Sequence, residues 1–230
     1  MNVGLLREGK KLVLACEVVE KEIARYLDGS CELRCFDYGL HRTPENMAKA
    51  LQSEIDTASA RPGAYRAIVL GYGLCSNGIV GITARTVPVV VPRVHDCISL
   101  FLGSTQAYKA QACQCPGTYY LTPGWIDKGE TPMSKYAGYA ASYGEETARW
   151  VLHEELKHYT RIVLINTGAY TAIDSYRQIA RKNADFLGLS YEELEGPSTL
   201  FRRLVLDSTH EDMLIMAGGE VIRQEMFLAI

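Results

Sequence analysis

An α/β fold built on mostly parallel sheet is predicted by three features of this 230-residue chain. Short apolar runs rich in Val, Ile and Leu alternate with amphipathic stretches, the rhythm of βα units. Several runs are apolar without interruption, as strands covered on both faces are. Glycine-rich, polar segments follow the runs, where parallel sheets place their ligand-binding loops. With 47% hydrophobic and 22% charged residues, the chain has ample material for a folded core.

In chain order, strands are expected at residues 12–15, 32–37, 67–71, 87–91, 118–121, 161–166 and 213–216. Between the second and third, Thr43 offers an N-cap and Pro44 a first helical position, after which Met47, Leu51 and Ile55 recur at helical spacing. That helix should end near Arg61-Pro62-Gly63. Residues 123–143, rich in Gly, Pro, Tyr and Ser, lack a clear period and predict a long functional loop or an interdomain crossover. From 144 to 159, Ala148, Val151, Leu152, Leu156 and Tyr159 share one helical face, while Glu145, Glu146, Glu154, Glu155 and Lys157 suit a solvated one. A further helix is expected at about 172–186. The arrangement predicted is two closely joined Rossmann-like halves, 1–125 and 126–230.

A net charge of −3 and a pI near 6.0 give no global basic field and argue against a nucleic-acid partner. No segment approaches the roughly 20 apolar residues of a membrane helix, and the first eleven residues carry no signal-peptide run. A cytoplasmic protein is therefore expected, with its seven cysteines kept as thiols or ligands.

The segments after the strands carry the chemistry. They are Cys16-Glu17, Tyr38 to His41, Tyr72 to Gly78, His95-Asp96-Cys97, Thr122 to Trp125, Thr167 to Tyr170 and Gly218 to Glu220. If their strands are parallel and adjacent, all converge on one rim. Cys75, His95 and Cys97, with Cys16 as a fourth, make a candidate metal set. Sulfur and imidazole favour zinc, iron or a similar transition metal over magnesium or calcium. Asp96 and His41 are candidate catalytic groups. Gly73, Ser76 and Asn77 would cradle an anionic part of a small-molecule substrate at a helix start, and Trp125 and Tyr170 would close the pocket. The spacing matches no zinc-finger or ferredoxin pattern, and single cysteines are more often small buried hydrophobes.

The same residues allow a metal-free reading, in which Cys75 or Cys97 at a strand-to-helix turn becomes a nucleophile through a lowered pKa. Nucleotide hydrolysis is excluded, because Ile79 and Val80 stand where a phosphate-binding loop needs Lys and Ser or Thr. His153 and His158 are five apart, turned about 140° from one another on a helix, and read as surface residues. The pairs Cys31/Cys35 and Cys113/Cys115 read as structural.

The stretches Ala15 to Val18, Gly71 to Gly78, Pro92 to Cys97 with Phe101 to Ser104, and Tyr119 to Trp125 resemble an uncharacterised bacterial and archaeal domain-of-unknown-function family. Members are often encoded beside corrinoid-dependent methyltransferases. The resemblance thus implies corrinoid-linked methyl transfer or one-carbon metabolism, with a corrinoid protein or methyltransferase as partner, but supplies no catalytic residues. The expected activity is that of a metal-dependent transferase or lyase; the alternative is a non-catalytic accessory protein binding a methyltransferase, corrinoid protein or cofactor.

Overall fold

The computed structural model describes residues 9–227, which form two compact units. One comprises the described residues up to Thr105 together with those from Pro197 onward, and the other is Gln106–Gly196. The division expected near residue 125 falls inside the second unit.

The first unit is built on five strands: β1 (Lys10–Cys16), β2 (Cys31–Phe36), β3 (Tyr65–Gly71), β4 (Val89–Pro92) and β8 (Met213–Met216), in the order β2-β1-β3-β4-β8. All neighbours are parallel except β4 and β8. Alternation along the strands sends Leu12, Leu14, Ile68, Leu70, Val89 and Val91 into one core. There they meet Met47, Leu51, Ile55 and Ala58 of helix α2 (Pro44–Ser59). That helix starts on Pro44, as its Thr-Pro signal predicts. Helix α1 (Glu20–Ala24) contacts α9 (Thr199–Leu206), and α9 also contacts β3, β4 and α3 (Cys97–Phe101). Phe101 and Phe201 meet edge to face at 5.3 Å.

The second unit holds β5 (Thr118–Leu121), β6 (Arg161–Asn166) and β7 (Ser190–Glu195), parallel and in sequence order. Helix α8 (Ile173–Leu187) packs Ala180 and Ala184 against Ile162, Leu164 and Leu121. Strand β7, Ser-Tyr-Glu-Glu-Leu-Glu, carries no apolar run; it adds to β6 through its backbone ladder and an Arg161–Glu192 ion pair. Residues 123–143 are not a loop. They form α5 (Pro123–Asp127) and α6 (Pro132–Tyr143), with α7 (Glu145–Leu156) following. Thr122 and Thr131 each accept a capping hydrogen bond, from Trp125 N–H and Ser134 N–H, and each precedes a proline. Capping thus outweighs the weak periodicity. Helix α4 (Thr105–Gln114) precedes β5. No helix among the described residues is long and apolar enough to cross a membrane.

Candidate functional site

In the first sheet the chain leaves β1 for β2 on one side and returns to β3 on the other. The loops after β1 and β3 therefore part at their carboxyl ends, and such a topological switch point is where open α/β sheets bind ligands. Cys16 closes β1 there. The parallel pairing Ala15↔Gly71 is the last of its ladder, so Cys16 and Tyr72 come next in register.

The segment after β3 turns sharply. Cys75, Ser76 and Asn77 all have positive φ, 46°, 55° and 67°. A left-handed turn of side-chain-bearing residues costs roughly 1–2 kcal/mol per residue. It is held by hydrogen bonds from Leu74 N–H to Val94 O and Cys75 N–H to His95 O, each 3.0 Å, and from Gly78 N–H to Cys75 O at 2.9 Å. Gly73 permits the contact with the next strand end, since a Cβ there would lie 2.8–2.9 Å from Asp96 backbone atoms. The segment runs on through further turns rather than into a helix. The helix start expected to follow Gly73 to Gly78 is therefore absent. The N–H groups of Ser76 and Asn77, both exposed, make no hydrogen bond among the described residues.

The loop brings three sulfurs into one electrostatic neighbourhood. Burial pushes the Cys75 thiol up to about 12, helped by the charges of Asp96 and Cys16 and opposed by the Gly73 and Cys97 backbone N–H groups. Burial likewise raises Cys97 well above the usual thiol range, with Cys75, Asp96 and Cys16 adding to it. Asp96 caps α3, accepting from Ser99 N–H at 3.2 Å, and its burial raises its pKa despite that bond. These shifts run against the lowered-pKa argument for a resting thiolate: no helix follows Cys75 directly, and α3 at Cys97 has only five residues. Tyr72, which opens this segment, is 3% exposed, and its hydroxyl has no hydrogen-bond partner among the described residues.

The other candidates are distributed more widely. His95 is partly exposed and contributes its carbonyl to Cys75; its ring acts electrostatically on Asp96. His41 is exposed in a tight turn, its Nδ1 bonded to the Tyr38 carbonyl. Trp125 lies in the first turn of α5 and Tyr170 packs edge-on against Tyr176 at 5.3 Å, both within the second unit. Because β8 runs antiparallel, Gly218 to Glu220 lies at the opposite rim, bonded to Ala84, and leaves the predicted convergence. Among the described residues no three His, Cys, Asp or Glu side chains stand in a metal-holding arrangement.

Comparison with curated proteins and with solved structures gives no match. The profile of the family described as "Protein of unknown function (DUF1638)" matches residues 35–205, a span that includes Cys75, His95 and Cys97 and leaves out Cys16. With most of its length matched, the chain belongs to that family.

Proposed function

We propose that this is a cytoplasmic protein that takes up a thiophilic metal ion, zinc or iron, at Cys75, Cys97 and Cys16 and uses it on a small molecule. The observation that carries the reading is the grouping of three thiols at the switch point: Cys16 ends β1, Cys75 N–H bonds to His95 O two residues before Cys97, and burial raises the pKa of Cys75 and Cys97. A site in which negative charge is suppressed is poorly suited to a resting nucleophile. A cation reverses the balance, because coordinated thiols lose their protons and the metal offsets the desolvation that kept them neutral. Sulfur donors select zinc or iron over harder cations. Ligation requires the side chains to rotate together, and in this reading the three sulfurs, not the His95 imidazole, hold the ion.

When bound with an open position, the metal supplies Lewis-acid activation of a substrate thiol, amine or carbonyl. Asp96, kept more basic than an ordinary carboxylate, is the neighbouring proton acceptor. Corrinoid-linked methyl transfer, with a corrinoid protein or methyltransferase as partner, is the finer form of this reading and is supported by the resemblance alone. The test is metal content. Anaerobically purified wild type should carry near-stoichiometric metal, Cys75→Ser and Cys97→Ser should lose it, and His95→Ala should keep it; equal content in all four, or none in wild type, overturns the reading.

A further inference from the structure

Helices α6 and α8 of the second unit share an apolar surface that lies in the open. Met133, Tyr136, Ala140 and Tyr143 recur at i, i+3, i+7 and i+10, so they line one edge of α6. Ile179 and Phe186, seven apart, line one face of α8. Two contacts join these rows: Met133 N–H donates to Asn183 Oδ1 at 2.8 Å, and the rings of Tyr136 and Phe186 meet edge to face at 5.2 Å. Helix α8 ends at Leu187, directly after Phe186, while the α6 row runs on to Tyr143. Lys135 is the only charge in α6, although seven of its twelve residues are exposed; a solvated helix face ordinarily carries charge.

Met133, Tyr143, Ile179 and Phe186 are 38%, 68%, 37% and 43% exposed. Large side chains present about 150–250 Å² each, so these four leave on the order of 400 Å² of apolar surface in water. A standard interface buries about 800 Å² per partner, of which about 450 Å² is apolar. The surface therefore supplies nearly the apolar area that a stable dimer needs. Its two ends differ in charge. Lys182, one turn from both Ile179 and Phe186, borders the Met133 end, and Glu145 and Glu146 follow Tyr143 at the other. Lys182 and Glu146 are exposed and form no ion pair among the described residues.

We propose that a second copy of this chain docks here, the two α6 rows packing antiparallel across a two-fold axis. Met133 then faces the partner's Tyr143, Tyr136 fills the space over the partner's small Ala140, and Lys182 meets the partner's Glu146. The surface is complementary to itself in size and in charge, as a two-fold contact between identical patches requires. The acidic end disfavours the other occupant of an apolar helix face, an anionic lipid surface.

Sedimentation equilibrium of the full chain tests this at tens of micromolar, above the weakest dissociation constants that interfaces of this area give. Wild type should show twice the 25.5 kDa chain mass. Tyr143→Glu, a change at an exposed position, should keep the wild-type far-UV circular dichroism and raise the dimer dissociation constant by about 30-fold or more, as loss of an aromatic anchor does. Lys182→Glu and Glu146→Lys should each weaken the dimer by about 3–10-fold, and the double variant should recover it. A wild type that stays monomeric, or a dimer indifferent to Tyr143→Glu, overturns the docking surface; a double variant no tighter than the single ones overturns the antiparallel pairing.

Discussion

At the scale of single residues the protein separates two kinds of cysteine. Cys75 and Cys97 are held as thiols by burial, whereas Cys115 at the other unit's edge has its pKa lowered, chiefly by hydrogen bonding to Thr160 and then Thr118. In the metal-free protein Cys115 should therefore react with iodoacetamide faster than Cys75 or Cys97 near neutral pH, with the rates at Cys75 and Cys97 climbing as pH rises. Peptide mapping of a timed alkylation reads this directly, and equal rates at Cys75 and Cys115 would contradict it. The sequence marked Cys75, Cys97 and Cys16 because each follows a strand. It gave Tyr72 no role, since a buried hydroxyl without a hydrogen-bond partner among the described residues becomes visible only when burial is known. The raised thiol pKa values were illegible for the same reason: desolvation is a property of packing, while the expected lowering relied on a helix that Gly78 and the turns after it do not form.

At the scale of elements, the turn after β3 is the part on which the site depends. Gly73→Ala would set a Cβ against the Asp96 backbone, which cannot move aside as a flexible side chain can. A loss of about 1–3 kcal/mol in denaturant unfolding is expected, together with altered reactivity at Cys75; wild-type stability would show that the two strand ends do not need this approach. In the second unit, Arg177 of α8 grips Glu193 of β7 through two hydrogen bonds of 2.7 and 2.8 Å, with Asn166 adding a third at 3.2 Å. Arg177 is the main cause of the lowered Glu193 pKa. The folded-state pKa lies below the usual 4.5, so this stabilisation is present above about pH 4.5 and is lost as pH falls through the folded value. Glu193→Gln should cost about 1 kcal/mol at neutral pH, an ordinary figure for a partly exposed pair. It should also flatten the acid limb of the stability curve; an unchanged acid limb would show that the pair contributes nothing. Strand β7 escaped the sequence reading because Ser190 to Glu195 is half charged and offers no apolar alternation, and its place comes from pairing with the buried β6. Helices α5 and α6 were signalled by Thr-Pro steps at 122–123 and 131–132, the same signal that located α2.

At the scale of the whole molecule, the α/β class and the mostly parallel sheet follow from the apolar runs, and every strand expected from the sequence is present. What the runs could not convey is which sheet each joins or its direction. Val89 to Pro92 pairs with Met213 to Met216 across more than a hundred residues of chain, and only that pairing shows β8 to be antiparallel and its following glycines to lie away from the rim. The excursion of residues 106–196 into a second unit leaves the thiol cluster entirely within the first. The proposed role of this cluster is to be charged by a cation. It is tested most directly by the metal-to-protein ratio of anaerobically purified wild type beside Cys75→Ser and Cys97→Ser. A ratio near one in wild type, lost in both variants, is the predicted result; a wild type without metal, or variants that retain it, would contradict the claim.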